Sequence, residues 1–80
     1  MRIEGPVKVS QYSKAYYEIK NATNGRWFLE WNNEEQDLHS SAKIIPLNIN
    51  IGELGTFTLI YRTEEEDIKL EIEIVPLIGR

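Results

Sequence analysis

The sequence has no cysteine, and it has only one histidine and one methionine among its 80 residues. Without cysteine the chain forms neither a disulfide framework nor a thiolate metal site, which excludes the small disulfide-rich secreted scaffolds. It also lacks a long apolar run, since no stretch approaches the ~20 residues that a membrane-spanning helix needs. The first residues contain no apolar segment typical of a secretory signal peptide. We therefore expect a soluble domain with no membrane segment, stabilised by hydrophobic packing.

Basic residues are outnumbered by acidic ones, 9 against 13, and the formal net charge is −4. Affinity for nucleic acid comes mostly from Lys and Arg side chains that neutralise phosphates, so we expect no nucleic-acid partner. The composition, 41% hydrophobic and 28% charged, is typical of an ordinary folded domain rather than a disordered tail. A chain of this length has room for one core only, which predicts a single domain over residues 1–80.

Apolar and polar residues alternate with a period of two through nearly the whole chain, and helical spacing is rare. The alternation predicts about seven short strands at the spacing of a β-sandwich. They fall in residues 7–9, 15–19, 27–31, 42–45, 47–51, 57–62 and 68–74. Pro46 is expected to end or bulge its strand because proline has no N–H to donate to a ladder, and Pro76 is expected to end the last strand.

The segments between these strands are predicted from their turn residues. Asn24-Gly25 is a dipeptide favoured in tight hairpin turns, because both residues tolerate a positive φ angle. The acidic residues 64–67 are expected at the tip of a second hairpin. Residues 32–37 contain no apolar side chain and are predicted to form a solvated loop. A helical turn over residues 34–39 is an alternative, but no apolar stripe would hold it against a core.

Two facing sheets best satisfy this pattern, because each sheet can bury one alternating set of side chains. A single open sheet would leave its whole apolar side in water, which is energetically unfavourable. A closed barrel of five or six strands is the main structural alternative. We therefore predict an all-β sandwich of about seven strands in two sheets, without a disulfide.

The order of three features resembles an immunoglobulin-like domain. A strand over residues 17–19 precedes a strand that opens with Trp27, which lies where such a domain has its strand C. Residues 53–59, Glu-Leu-Gly-Thr-Phe-Thr-Leu, resemble the acidic-x-Gly-x-aromatic-x-apolar pattern that leads into strand F. The resemblance implies an immunoglobulin-like sandwich.

The chain departs from that family at two positions. The position of Leu59 is often a cysteine bridged to strand B, and here the resemblance implies packing against Tyr17 or Ile19 instead. Phe57 has no hydroxyl group and so lacks the tyrosine-corner hydrogen bond. These departures argue against an antibody-like or receptor-like domain.

A narrower resemblance rests on four segments of the sequence. They are the opening Gly5-Pro6-Val7-x-Val9-x-x-Tyr12 and residues 42–45, 55–61 and 72–77. Together they resemble the small immunoglobulin-like modules appended to virion structural proteins of tailed bacteriophages of Gram-positive hosts. The resemblance implies a non-enzymatic module of a head, connector or tail protein, located in the virion, that acts in surface display, weak adhesion or assembly. Its implied partners are other virion proteins or, weakly, host cell-surface glycans.

Bacterial surface proteins carry similar domains. The alternative is therefore a carbohydrate-binding or protein-interaction module at the bacterial cell surface. In the latter, a sheet edge at residues 7–9 or 67–75 would recruit a partner strand. We expect the isolated domain to be a monomer and to be a module of a longer structural protein. Met1 is then a residue added when the fragment was excised, and a native start is the alternative.

The aromatic residues are the first candidates for a binding site. Trp27 and Trp31 could form a platform for sugar rings. They share a face with Leu29, however, so core packing is expected for Trp27, whereas Trp31 at the strand end could make an exposed contact. Tyr12 and Tyr16 are better candidates for surface aromatics, although packing at a sheet edge is the commoner outcome for such residues.

The titratable residues predict no catalytic, cofactor-binding or metal-binding site, and we expect no enzymatic activity. His39 has no partner set of the kind that catalysis or zinc requires and is expected in a solvated loop. The acidic residues 64–67 could bind calcium with Glu34, Glu35 and Asp37 only if the two segments meet in space. Residues 21–23, Asn-Ala-Thr, fit the N-glycosylation pattern, which is common by chance.

Overall fold

The computed structural model describes residues 1–21, 24–49 and 54–76. Within these ranges the chain forms eight strands and no helix. The strands are β1 (Arg2–Glu4), β2 (Lys8–Ser10), β3 (Ser13–Lys20), β4 (Gly25–Trp31), β5 (Glu34–Asp37), β6 (Ile44–Ile49), β7 (Gly55–Thr63) and β8 (Asp67–Val75). The all-β prediction is confirmed for the described residues.

The strands form two sheets. The first sheet has three antiparallel strands in the order β1-β3-β6, and the second has five strands in the order β2-β8-β7-β4-β5. All pairs are antiparallel except β2 with β8, which is parallel. The chain crosses from one sheet to the other after β1, β2, β3, β5 and β6. No ladder joins the two sheets among the described strands, so these residues do not form the closed barrel that was the main alternative.

The core lies between the two sheets and takes side chains from both. Alternate residues of β3, β6, β7 and β8 point inwards, as the period-two pattern predicts. Trp27 is fully buried, and its ring packs edge-on against the Tyr61 ring at a centroid distance of 5.0 Å. No described polar or charged residue is buried. Ile60 of β7 is also fully buried but lies outside the core cluster. The buried residues of that cluster are Ile3, Val9, Ala15, Tyr17, Ile19, Trp27, Ile45, Leu47, Ile49, Phe57, Leu59, Tyr61, Ile72 and Ile74.

The predicted loop over residues 32–37 is wrong, and so is the alternative helical turn. Residues Glu34–Asp37 form β5, which pairs with β4. Only Asn32 and Asn33 form the connection, and both have a positive φ angle, 52° and 65°. Two such residues make the type of tight turn whose twist matches that of the flanking strands. The turn chemistry of this Asn-Asn pair, rather than an apolar face, therefore produces β5.

The role predicted for Asn24-Gly25 is also wrong. β3 and β4 lie in different sheets, so the segment between them crosses from one sheet to the other and does not form a hairpin turn. Asn21, at the start of this segment, has a positive φ angle of 56°. Gly25 is already the first residue of β4. A Cβ atom at Gly25 would lie 2.5 Å from a ring carbon of Tyr61 and 2.7 Å from the Arg62 carbonyl oxygen. The glycine is needed here for close packing and not for a turn.

Pro46 does not end or bulge its strand. It lies inside β6, opposite Tyr16 of β3, and residues 42 and 43 precede the strand. The Ile19 N–H donates to the Lys43 carbonyl at 2.9 Å. Because hydrogen-bonded pairs alternate along an antiparallel ladder, the Pro46 nitrogen faces the free edge of β6, where no donor is needed. The strands predicted at 42–45 and 47–51 are therefore one strand as far as Ile49, beyond which residues 50–53 lie outside the described ranges.

Candidate functional site

An exposed aromatic and aliphatic surface lies on the outer face of the three-stranded sheet. Tyr16 of β3 and Ile44 of β6 are 58% and 54% exposed, and Pro46, directly opposite Tyr16, is exposed as well. The Lys14 Nζ lies 5.6 Å from the centre of the Tyr16 ring, within cation–π range. We call these four residues, Lys14, Tyr16, Ile44 and Pro46, the Tyr16 surface.

A shallow apolar groove of about 270 Å³ adjoins the Tyr16 surface. Pro46 belongs to both, and the groove follows the free edge of β6. Its wall on the other side is the connection from β5 to β6. It offers mainly apolar contact, with one hydroxyl group as a polar partner. The groove is lined by Leu38, Ser40, Ile45, Pro46 and Leu47.

Three hydrogen bonds to Trp27 fix the connection that forms the groove wall. The Leu38 N–H donates to the Trp27 carbonyl at 3.1 Å, and the Trp27 N–H donates to the Ser40 carbonyl at 3.0 Å. The indole Nε1–H donates to the Ala42 carbonyl at 2.7 Å. The core packing predicted for Trp27 is confirmed, and the residue also holds an outer surface element in place.

The remaining aromatic candidates differ in exposure. Trp31 is half-buried against the core, and a Cβ atom at Gly55 would lie 3.3 Å from its Cη2. Tyr12 is 62% exposed and has a φ angle of 57°. The expectation that Tyr12 and Tyr16 are the better surface aromatics is therefore confirmed. The sugar platform made of Trp27 and Trp31 is wrong, because Trp27 is fully buried.

The two acidic segments meet in space, but they meet around an arginine. The Arg62 guanidinium donates to both Glu35 oxygens at 3.0 Å and to the Asp67 carboxylate at 2.9 and 3.1 Å. It also lies 4.6 Å from the centre of the Phe28 ring. These hydrogen bonds lower the pKa of Glu35 and of Asp67 and raise the pKa of Arg62. We call Arg62, Glu35, Asp67 and Phe28 the Arg62 cluster.

A calcium ion bound between the two acidic segments would lie beside the positive charge of Arg62. A guanidinium lies between the two carboxylates that a cation would have to share, and the opposite charges already satisfy each other. Among the described residues, no group of three or more histidine, aspartate or glutamate side chains is arranged to hold a metal ion. The Arg62 cluster is therefore best described as a set of surface ion pairs that connects strands.

The single histidine lies on the surface, as expected. The His39 side chain is 79% exposed, and its Nδ1 is 3.8 Å from an Asp37 oxygen. The His39 backbone N–H donates to the Asp37 carboxylate at 2.8 Å, and Arg26 lies 3.3 Å from the same group. The hydrogen bond from His39, assisted by the Arg26 charge, lowers the pKa of Asp37. Of the glycosylation pattern, Asn21 is exposed, and residues 22 and 23 lie outside the described ranges.

Sequence reasoning missed Ile44, Pro46 and Arg62. The first two could have been found from the alternation, because Ile45 and Leu47 point inwards and their neighbours must then point outwards. Arg62 could be assigned to an outer face in the same way. Its carboxylate partners could not, because Glu35 is placed by a strand that the pattern does not indicate.

Comparison with known proteins adds no relative. No protein-family model matches the chain, and no curated protein or solved structure is significantly similar to it. Among the described residues there is also no helix long and apolar enough to cross a membrane.

Proposed function

We propose that this chain is a non-enzymatic immunoglobulin-like module of a structural protein in a tailed-bacteriophage virion, in its head, connector or tail. Its role is display and weak adhesion, and the Tyr16 surface is its contact face for host cell-surface glycans. Assembly contacts with other virion proteins belong to the same proposal. A carbohydrate-binding or protein-interaction module at the bacterial cell surface is the alternative.

The strand order supports the immunoglobulin-like part of the proposal. In such domains one sheet contains strands A, B and E, and the other contains G, F, C and, in the longer variants, C′. The orders β1-β3-β6 and β8-β7-β4-β5 match those two sets in chain sequence. Trp27 then lies on strand C and Phe57 on strand F, as the resemblance implies, with residues 54–59 of the motif described. β2 is an additional edge strand beside β8.

One observation carries the proposed contact role: a tyrosine, an isoleucine and a proline are exposed together on a regular sheet face. Aromatic rings provide flat apolar contact for sugar rings, and Lys14 beside the Tyr16 ring adds a hydrogen-bond donor. The area is small, so a single copy binds weakly. Many copies on one particle would strengthen the attachment without any new contact.

Multivalent display on beads tests this contact role. Beads coated with many copies, and the free monomer, are compared for retention on purified cell-wall polysaccharide from Gram-positive bacteria. The beads should be retained and the monomer should not. Tyr16→Ala should reduce bead retention by about tenfold or more, because each lost contact is multiplied over the bead. Tyr12→Ala, which removes an equally exposed tyrosine, is the matched control. Equal retention of the Tyr16→Ala and parent beads, or no retention of either, would contradict the proposal.

The carbohydrate-binding alternative that depends on Trp31 has a separate optical test. Sugar stacking on Trp31 would shift the tryptophan emission during titration with polysaccharide. We expect no shift, because Trp27 is fully buried and Trp31 packs against the core. A shift that is lost in Trp31→Phe would favour the alternative.

The alternative in which a sheet edge recruits a partner strand is disfavoured, because the sheet edges carry features that hinder such pairing. β8 (Asp67–Val75) is not a free edge along its whole length, because β2 pairs with its last three residues and β7 with the other side. The remaining outward-facing backbone of β8 carries charged residues such as Lys69 and Glu71. β5 is short and acidic, and Pro46 lies on the edge of β6. Short length, charge and proline are the features by which natural sheets avoid edge pairing.

A further inference from the structure

The structure makes Gly25 obligatory directly after Asn24. A Cβ atom at position 25 would lie 2.7 Å from the Arg62 carbonyl oxygen, which is backbone and cannot rotate away, and 2.5 Å from the Tyr61 ring. Any other residue would force β4 and β7 apart. The chain therefore keeps an Asn-Gly dipeptide at this position, although no hairpin turn is formed there. Asn24 is the only one of its six asparagines that precedes a glycine.

The Gly25 backbone nitrogen points away from the β4–β7 ladder. Both backbone groups of Trp27 bond towards the β5 side, to Leu38 and Ser40. Gly25 lies two residues earlier on the same strand, so its N–H points to that side as well. β5 ends at Asp37, and the Ser40 carbonyl is already used by Trp27. No described residue accepts a backbone hydrogen bond from Gly25 on this side.

The Asn24 side chain is exposed to water. Asn24 lines an open polar cleft of about 260 Å³ together with Thr63, Glu64 and Glu65. The cleft supplies water to the side-chain amide. It also places two carboxylates near any new charge that forms on residue 24.

From these observations we infer that Asn24 is a site of spontaneous deamidation in the folded protein. The deprotonated Gly25 backbone nitrogen attacks the Asn24 Cγ, so that an N–Cγ bond forms and the Cγ–Nδ2 bond breaks. The Nδ2 group takes up a proton from water and leaves as ammonia. One water molecule then opens the five-membered succinimide ring at either carbonyl and gives aspartate or isoaspartate. Glycine favours ring closure because it has no Cβ to obstruct the attack.

The product changes the local charge and the backbone. A new carboxylate joins Glu64 and Glu65 at the polar cleft, where like charges repel each other. In the isoaspartate form the backbone is longer by one methylene group at the entry to β4, beside the Gly25–Thr63 pair. We therefore expect the aged chain to be more acidic and the pairing of β4 with β7 at this end to be less stable than in the fresh chain.

Ageing of the intact chain tests the site. The protein is incubated in mildly alkaline buffer, and the peptides are mapped by mass spectrometry with detection of isoaspartate. Conversion of asparagine to aspartate and isoaspartate should occur mainly at Asn24, and its rate should rise with hydroxide concentration. Asn21, in the same connection between β3 and β4 but followed by alanine, is the internal control and should convert about tenfold or more slowly because its neighbour carries a Cβ. The variant Asn24→Gln should remove the main acidic product.

A denatured sample gives the reference rate for the same dipeptide without the fold. Conversion of Asn24 in the folded protein within about tenfold of that rate supports the inference, since it means that the fold adds little to the barrier. A slower folded rate, or conversion spread equally over the asparagines, overturns it.

Discussion

Two tryptophans on the same face of one strand have different roles because their neighbours differ. Trp27 lies in the middle of β4, with Tyr61 against its ring and the Ala42 carbonyl as the partner of its N–H. Every polar atom of this large buried side chain is satisfied, which is the condition under which tryptophan can be fully buried. Trp31 lies at the end of the strand and is only partly buried. Residue type alone does not distinguish the two, but position along the strand does.

Tyr17 gives a pH-dependent prediction at the scale of a residue. It is fully buried, its hydroxyl donates to the Pro6 carbonyl at 2.7 Å, and burial raises its pKa from 10.0 to about 12. A raised pKa means that the fold favours the neutral phenol. The contribution is fully present below the unfolded pKa and is lost as the pH rises from 10.0 to about 12. We expect a loss of roughly 2–3 kcal/mol in the free energy of unfolding over that range.

Urea unfolding of the parent and of Tyr17→Phe at neutral and alkaline pH measures this loss. The variant should be less stable by about 1 kcal/mol at neutral pH, because it lacks one hydrogen bond. Its free energy of unfolding should then fall less steeply at alkaline pH, so that the difference between the two proteins narrows and then reverses, because the expected alkaline loss of the parent exceeds about 1 kcal/mol. Parallel alkaline losses in both proteins would show that other groups cause them.

At the scale of the element, the Asn32-Asn33 turn gives the second prediction. Asn33 has a φ angle of 65°, which glycine adopts freely and alanine does not. Asn33→Ala should lower the free energy of unfolding by about 1 kcal/mol, whereas Asn33→Gly should change it little. Thermal unfolding of the two variants and the parent distinguishes them. If both substitutions had the same effect, the backbone of this turn would not determine the stability of β5.

The edge strand β6 gives the third prediction. Pro46 presents a nitrogen without a hydrogen atom to the free edge, so a second chain cannot receive a hydrogen bond there. Pro46→Val should restore this donor and raise self-association, measured as a higher sedimentation coefficient with increasing concentration. Asn48→Val is the matched control, because it adds the same apolar side chain to the same edge without adding a donor. Equal association of the two variants would mean that apolar area and not the edge hydrogen bond matters.

The strands differ in how well the sequence alone predicts them. Strands with a clear alternation, such as β3, β7 and β8, were predicted to within a few residues, because their inner faces are apolar. β5 could not be predicted in this way, since it is acidic throughout and depends on the turn before it. The strand break expected at Pro46 does not occur, because proline is tolerated on the free edge of a sheet. The sequence alone does not indicate which strand lies at the edge. Of the candidate site, Tyr16 was identified from the sequence as a candidate surface aromatic, with packing at a sheet edge as the commoner outcome. Its proximity to Ile44 and Pro46 depends on the register between β3 and β6.

At the scale of the whole molecule, the net charge of −4 is divided unequally between the sheets. The strands of the three-stranded sheet carry three basic residues against two acidic ones, and those of the five-stranded sheet carry four against seven. The Tyr16 surface is therefore on the less acidic sheet. The acidic balance of the sequence, taken alone, argues against anionic partners for the molecule as a whole. The division shows that this repulsion is weaker on the face proposed for contact, since the excess of carboxylates lies on the other sheet.

The Arg62 cluster connects four strands of the five-stranded sheet and gives the last prediction. Its members come from β5, β4, β7 and β8, so its ion pairs depend on the correct assembly of the whole sheet. Hydrogen bonds from Arg62 lower the pKa of Glu35 and Asp67. A lowered carboxylate pKa contributes stability that is present above the unfolded value and is lost as the pH falls through the folded value.

Arg62→Met should therefore lower the urea midpoint at neutral pH. The midpoint of the variant should also fall less on acidification than that of the parent, because the variant lacks the ion pairs that protonation of Glu35 and Asp67 would break. High salt should narrow the difference at neutral pH, because the pairs are exposed and are screened. Arg2→Met is the matched control: it removes the same charge, but Arg2 pairs with Glu4 of its own strand, so no second strand is involved. If the two variants showed the same acid dependence, the pairs around Arg62 would stabilise the sheet no more than a pair confined to one strand does.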